Sequence, residues 1–380
     1  MIEIGDKSNC CGCTACASIC NHEVITMKPD ELGFLYPSFD AEKCVNCGLC
    51  EKVCQFNPEY NRYDNFDRPL AYSLRLKDDV QLMRSQSGGA FFAIADYVLL
   101  KKGIVYGAAF DEQWRVVHQK AINHDELEKL RMTKYVQSDM RGVFSSIRKE
   151  LQNNQYVLFS GTSCQVAGLK AFIPKNLHYK LVCVDIICHG VPSPKIWQDY
   201  LEYLEIKYKS KIVKACSRDK RFGWHGAQES FVFENGKELH RQTCNNLYFY
   251  GYSLRDSCAS CVFTNTKRVG DITIGDHWGL PQNSAYEKDS KGVSLLFVNS
   301  ARGEEILNQI LNSFSYESIQ LANCLQPQLQ YPSKLNPRRA NFINDYRLYG
   351  FEYVAKRYGD IGWRYKLSKT IRKIKSIIGK

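Results

Sequence analysis

The sequence predicts an α+β chain: a small cysteine-rich domain, then a larger mixed α/β domain that becomes β-rich toward its end. Three observations predict this. Two cysteine runs of identical spacing fall within the first 60 residues, strands and helices alternate from Leu70 onward, and beyond about residue 208 short strand patterns take over, with Asn235-Gly236 as a hairpin turn.

Cys10, Cys13, Cys16, Cys20 and Cys44, Cys47, Cys50, Cys54 both read Cys-x2-Cys-x2-Cys-x3-Cys, the spacing of bacterial two-cluster ferredoxins. Three thiolates of one tight loop hold one [4Fe-4S] cube, and the fourth, a helical turn further on, reaches the other. The expected ligand sets are therefore crossed: Cys10, Cys13, Cys16 and Cys54 for one cluster, and Cys44, Cys47, Cys50 and Cys20 for the second. Zinc is the alternative, but zinc fingers use two separated ligand pairs and rarely pack four thiols into so short a run twice. Asn21 and Gln55 stand where ferredoxin runs usually place Pro, which alters the local turn but not the ligands.

A chain of 380 residues with 44% hydrophobic content exceeds one typical domain and can bury a sizeable core. Residues 1–10 carry acids and no apolar stretch, so no secretory signal is expected, and 17 cysteines then point to metal ligation in a reducing, cytoplasmic setting. The longest apolar run, Phe91 to Leu100, is interrupted by Asp96 and is too short to span a bilayer. The net charge of +11 concentrates in the tail, where Arg364, Lys366, Lys369, Arg372, Lys373, Lys375 and Lys380 follow the last acid, Asp360. Leu367, Ile371, Ile374 and Ile378 share one helical face there. Such a helix covers its own domain, docks on an acidic partner, or lies peripherally on an anionic inner membrane face. Nucleic acid is not an expected partner, because the aromatics do not interleave with the basic residues as a stacking platform requires.

The pattern sets a cluster domain at residues 1–60 apart from the alternating region that begins at Leu70. A polar, aromatic linker spans roughly 57–69. Strands are expected at Leu70 to Arg75, Ile104 to Phe110, Val116 to Ile122, Tyr156 to Ser160, Leu181 to Ile187, Asp271 to Gly275, Val293 to Asn299 and Phe314 to Ile319. Helices are expected at Ala90 to Lys101, Gly142 to Leu151, Cys164 to Phe172, Pro194 to Tyr208 and Gly303 to Asn312.

Two loops suit phosphate binding. Ser87-Gly88-Gly89 directly precedes a helix, so small residues let a phosphate approach the free amides and positive end of the helix dipole. Ser160-Gly161-Thr162 repeats the arrangement after a buried strand, at the carboxyl edge where α/β sheets bind ligands. Together they favour a dinucleotide, although neither carries the full Rossmann glycine fingerprint; an ordinary helix cap is the alternative for each. Cys258 and Cys261 form a Cys-x2-Cys pair, and Cys164 and Cys188 each follow a strand. If these converge, four more thiolates are available for a third [4Fe-4S] cluster, with a zinc site or a redox disulfide between the close pair as alternatives. Cys183, Cys216, Cys244 and Cys324 read as small buried apolar residues.

Ser87-Gly88-Gly89, Lys134-Tyr135-Val136-Gln137-Ser138, Gly161-Thr162-Ser163-Cys164-Gln165, Ile187-Cys188-His189-Gly190-Val191-Pro192-Ser193, Ser257-Cys258-Ala259-Ser260-Cys261 and Gly270-Asp271-Ile272-Thr273-Ile274-Gly275-Asp276 together resemble the coenzyme F-420 hydrogenase/dehydrogenase beta-subunit family over about Leu70 to Pro337. The resemblance implies an α+β fold in which a ferredoxin-like two-cluster domain (1–60) precedes a mixed α/β flavin-binding domain with a β-rich part, its N-terminal part at 68–152 and its C-terminal part at 153–337, followed by a basic helical tail at 338–380. It implies FAD, with Ser87, Gly88 and Gly89 at its phosphates and Lys134, Tyr135, Gln137 and Ser138 along it, beside the loop of Gly161 and Thr162. It also makes Cys164, Cys188, Cys258 and Cys261 ligands of an inner cluster. Ser163 replaces a Pro common in relatives, which leaves the Cys164 loop less rigid.

The implied activity is that of an FAD-dependent iron–sulfur oxidoreductase. Electrons pass between a ferredoxin or other one-electron carrier protein, the clusters and FAD to a small-molecule substrate, because a flavin converts between one- and two-electron chemistry. Lys134 or Arg268 supplies positive charge for the reduced flavin, and His189 is a candidate proton donor. The alternatives are an electron-transfer subunit of a larger complex and a reductase acting in surface-polysaccharide biosynthesis.

Overall fold

The computed structural model describes residues 4–60, 65–280, 286 and 289–362. In chain order the elements are α1 (Ala15–Ile19), β1 (Ile25–Pro29), β2 (Leu35–Phe39), α2 (Leu49–Lys52), β3 (Leu70–Leu76), α3 (Asp79–Met83), α4 (Ala90–Leu100), β4 (Ile104–Phe110), β5 (Val116–Ala121), α5 (His124–Leu130) and α6 (Val143–Gln152). They continue with β6 (Val157–Thr162), α7 (Ser163–Phe172), β7 (Leu181–Ile186), α8 (Pro194–Tyr208), β8 (Ile212–Cys216), β9 (Glu229–Phe233), β10 (Glu238–Arg241), α9 (Thr243–Phe249), β11 (Ile272–Asp276), β12 (Ser294–Val298), α10 (Ala301–Ile310), β13 (Phe314–Ile319) and α11 (Arg339–Arg357). The expected strands and helices form within one or two residues of their expected ends. Short α5 has a signal that the period-based reading passed over: Asn123 caps it by accepting from the Glu126 amide, and Glu126 reaches back to the Ile122 amide.

Eight strands form one mixed sheet in the order β13-β3-β12-β11-β7-β6-β4-β5. β11, β7, β6 and β4 are mutually parallel. β3 runs in their direction as well, since it and β11 are both antiparallel to β12. Five strands therefore present their carboxyl ends along one edge. The segments that follow β3, β6 and β7 carry Ser87 to Gly89, Cys164 in the first turn of α7, and Cys188, so the topology gathers these residues where open α/β sheets bind ligands.

Alternation along the strands sends one set of residues to each face of the sheet. Val105, Leu158, Val182 and Leu296 join Ile94 and Val98 of α4 and Ile306 and Leu307 of α10 in one core. Ile104, Val157, Phe159 and Leu181 join Phe144 and Ile147 of α6 and Val166 and Leu169 of α7 in another. A three-stranded sheet, β10-β9-β8, packs with α8 and α11 around Trp197, Tyr200, Phe231 and Phe342 as a third.

The N-terminal segment, with its antiparallel β1–β2 pair, docks directly onto this scaffold. Ala15 is fully buried in the α6–α7 core, with Cys13 and Ile19 packed against it. Gly168 in α7 makes the approach feasible: a Cβ there would lie 2.8 Å from Cys13 Sγ and 2.9 Å from its Cβ. Gly168→Val is expected to lower the unfolding free energy by about 1–3 kcal/mol through overpacking, read from the midpoint of urea denaturation; an unchanged midpoint would mean that the segment is not held against α7.

Among the described residues no helix is long and apolar enough to cross a membrane. Leu367, Ile371, Ile374, Ile378 and the basic residues around them lie outside the described residues.

Candidate functional site

The two N-terminal runs separate into two groups of thiols. Cys20 lines one hollow with Cys44, Cys47 and Cys50. Cys54 instead belongs with the first run. Burial pushes the Cys16 thiol well up, with Cys13, Cys10 and Cys54 pushing it further; Cys54 is pushed up to about 11 by burial, with Cys13 and Cys10 adding to the rise. The Cys44 group is the outer one, with Cys47 exposed and Val45 58% exposed beside it.

Cys164, Cys188, Cys258 and Cys261 converge on a third hollow, at the edge formed by the ends of β6 and β7. Desolvation first, then the neighbouring thiols, raise Cys188 well above its ordinary value and carry Cys258 to about 12 and Cys261 to about 11. The loop amides of Gly190 and Val191 point at Cys188 Sγ (3.3 Å) and Cys258 Sγ (3.4 Å). Among the described residues, no three of the cysteine Sγ atoms lie within 4.8 Å of one another.

Ser163 anchors this hollow without the help of a proline ring. Its Oγ donates to Asp185 Oδ2 (2.7 Å) and accepts from Arg268 Nη2 (2.6 Å). Arg268 and Asp185 form a buried ion pair at 2.6 Å, with side chains 2% and 0% exposed. The same guanidinium donates to the carbonyls of Phe263 and Ile186, so it ties together the chain beside Cys164, Cys188 and Cys261. Arg268 is therefore committed to the thiol hollow and does not line the large cleft, where positive charge for a flavin had been expected from it.

Cys11, which the spacing rule leaves without a role, sits between two thiol groups. It is buried, its Sγ accepts from Gln55 Nε2 (2.9 Å), and that amide also donates to the Cys164 carbonyl (2.7 Å). Hydrogen bonding from the Cys11 thiol to Cys13 lowers Cys13 to about 7, and the same thiol pulls Cys164 down.

Beyond the third hollow, on the other side of the 188–191 segment, lies a cleft of about 640 Å³, within the size range of cofactor pockets. Ser87, Gly89, Lys134, Tyr135, Ser138, Gly161, Thr162 and His189 all line it. Cys188, His189, Gly190 and Val191 border both spaces. Gly88 lies under the loop: a Cβ there would meet Leu74 O at 2.3 Å and Ser294 N at 2.5 Å, so glycine is required for packing on the strands. Gln137 departs from expectation. Its Nε2 donates to Cys11 O (2.8 Å) and its Oε1 accepts from Arg255 Nη1 (3.0 Å), which commits it to the N-terminal segment.

Lys134 donates to the carbonyls of Lys129 (2.9 Å) and Arg131 (2.6 Å), and desolvation draws its pKa down to about 7. His189 is also held with a lowered pKa by burial. Its Nδ1 accepts from Gln328 Nε2 (3.0 Å), which leaves Nε2 to carry the ring proton.

Several residues shaping the cleft escaped the sequence reading. Lys220 Nζ collects the carbonyls of Leu82, Ser85 and Ser87 at 2.7–3.0 Å and so fixes the loop before α4. His118 is buried and neutral, pushed down to about 4 by desolvation. It receives Ser138 Oγ–H at Nδ1 (2.8 Å) and donates to Ser160 O (3.0 Å). Arg218 pairs with Asp276 at 2.6 Å, Asp276 accepts from Trp224 Nε1 at 2.6 Å, and Trp224 stacks on Trp278 with centroids 4.9 Å apart. Asp276 closes the Gly270 to Asp276 motif, and the dense Arg218-Asp219-Lys220-Arg221 run is the other sequence signal at this wall.

Two regions of the chain match known families. Residues 154–322 match the family model for the C terminus of the coenzyme F420 hydrogenase/dehydrogenase beta subunit, and residues 9–57 match a 4Fe-4S dicluster domain. The chain carries the C-terminal domain of that beta-subunit family behind a 4Fe-4S dicluster domain. The beta-subunit match spans Cys164, Cys188, Cys258 and Cys261 together with Gly161, Thr162 and His189, and the dicluster match spans both N-terminal runs. A coenzyme F420-dependent sulfite reductase of Methanocaldococcus jannaschii is 24% identical over 388 aligned positions, covering 95% of this chain; the chain spans about half of that relative, 55%. A chain of the F420-reducing [NiFe] hydrogenase complex from Methanosarcina barkeri aligns with 18% identity and a TM-score of 0.47, covering 82% of this chain and 94% of its own.

Proposed function

We propose that the chain passes electrons between a one-electron carrier protein and a two-electron substrate through three [4Fe-4S] clusters and FAD. The observation that carries this reading is the serial arrangement of the sites: an exposed thiol group, an inner group joined through Cys11 to a third, and a shared 188–191 segment between that third group and the large cleft. The clusters would supply single electrons and the flavin the exchange of two.

The protein's own groups suit such occupants. Cys10, Cys13, Cys16 and Cys54 would hold one cluster, Cys20, Cys44, Cys47 and Cys50 the second, and Cys164, Cys188, Cys258 and Cys261 the third. Ligation takes the thiolate form, so Cys16, Cys54, Cys188, Cys258 and Cys261, whose pKa values burial raises, would lose protons as metal binds. Ser87, Gly88 and Gly89 would form the turn under the flavin phosphates, with no side chain capping α4. Lys134, Tyr135, Ser138, Gly161 and Thr162 would border the flavin. His189 would hand a proton from Nε2 to the reacting group. Coenzyme F420 is the two-electron substrate toward which the names of the family and the curated relative point. A second reading, as the electron-transfer part of a larger assembly, is favoured by the length of that relative, almost half of which lies outside the region this chain spans.

The test is anaerobic titration of FAD-loaded protein with a reduced ferredoxin. Full bleaching of the flavin band after two electrons beyond those taken by the clusters supports the reading, and clusters that reduce while the flavin stays oxidised oppose it. A pH dependence follows as well. Because the folded pKa of Lys134 is depressed to about 7, its charge is present below that pH and lost as pH rises through it. FAD affinity of the apoprotein should therefore fall by up to about tenfold between about pH 6 and pH 8, measured by flavin fluorescence, and Lys134→Met should flatten the profile.

A further inference from the structure

Arg255 is fully buried, and among the described residues it has no carboxylate partner. The other buried arginines each have one: Arg268 with Asp185, Arg218 with Asp276, Arg75 with Asp289 and Arg131 with Glu128. The acid beside it in sequence, Asp256, is taken by Arg339 at 2.7 Å. What surrounds Arg255 instead is sulfur, carbonyl and ring. Nε donates to Cys10 O (2.7 Å), Nη2 donates to Leu35 O (2.9 Å) and approaches Cys10 Sγ (3.6 Å), and Nη1 donates to Gln137 Oε1 (3.0 Å). The Tyr36 ring lies 4.2 Å away. On its other side Arg255 lines the hollow of Cys164, Cys188, Cys258 and Cys261, and its carbonyl accepts from the Cys258 amide (3.1 Å).

A buried charge without a counter-charge is strongly disfavoured, so anions are required next to it, and among the described residues the thiolates on both sides are the groups placed to supply them. We propose that Arg255 is the shared counter-charge of two cluster sites, the Cys10 group and the Cys164 group, and that it raises the reduction potential of both. This rests on the three-cluster reading. One-electron reduction adds a negative charge to a cluster, and an adjacent fixed cation stabilises that state more than the oxidised one. Arg255 touches none of the Cys44 group, so that cluster serves as an internal reference.

The test is a dithionite redox titration followed by electron paramagnetic resonance, with iron content measured in parallel, on wild type, Arg255→Gln and Arg255→Lys. Arg255→Gln should shift both neighbouring clusters to lower potential by at least a factor of ten in the reduction equilibrium, about 59 mV for one electron. The Cys44-group cluster should not move. Arg255→Lys keeps the charge and should stay close to wild type. Full iron with unchanged potentials in Arg255→Gln overturns the proposal. If Arg255→Gln loses iron, Arg255→Lys decides: retained clusters at near wild-type potentials support a charge role, and an equal loss of iron overturns it in favour of a hydrogen-bonding clamp. Wild-type protein that binds no clusters at all would refute the underlying reading instead.

Discussion

Arg268→Met should destabilise the protein by about 3–5 kcal/mol, the cost of leaving a buried charge without its partner. Asp185 would be the stranded group. It is fully buried, and its remaining contacts, Ser163 Oγ at 2.7 Å and Thr273 Oγ1 at 2.6 Å, are neutral donors. The loss should be read from chemical denaturation, and pairing Arg268→Met with Asp185→Asn should recover part of it, because the unpaired charge is then removed. The inner thiols should suffer in the same variant, since Arg268 fixes the chain next to Cys164, Cys188 and Cys261. Unchanged stability would mean that water reaches Asp185.

The second large effect concerns Cys20. Although it belongs in sequence to the first run, its thiol lines the hollow of Cys44, Cys47 and Cys50. Cys20→Ser should therefore cost the outer cluster, about four irons per chain, and leave the Cys10 group intact. Cys54→Ser should do the reverse. Electron paramagnetic resonance of the two variants distinguishes the clusters, and selective loss of the Cys10-group signal in Cys20→Ser would contradict the crossed arrangement.

The sequence made some of this site legible and hid the rest for a physical reason. Ferredoxin spacing is a local property, so eight thiols could be paired off from their order alone. Strand periodicity and the turn residues placed Cys164 and Cys188 at strand ends, and the parallel sheet then brought those ends to one edge. Arg255 gave no such signal, because its partner Cys10 is 245 residues away. Lys220 meets the Ser87 carbonyl across 133 residues, and no periodicity reports a contact of that kind. Gln137 was misplaced for the same reason: its neighbours Tyr135 and Ser138 do border the cleft, but its own amide is taken by Cys11 and Arg255. Ser163 was misjudged in the other direction, since its hydroxyl, through Asp185 and Arg268, does the fixing that a proline ring would otherwise do.

The central claim is that three clusters and a flavin stand in series along one chain. Quantifying iron, sulfide and flavin in protein reconstituted under anaerobic conditions tests it most directly. About twelve irons, about twelve sulfides and one FAD per chain are expected; about eight irons, zinc in place of the third cluster, or protein without flavin would contradict the serial arrangement.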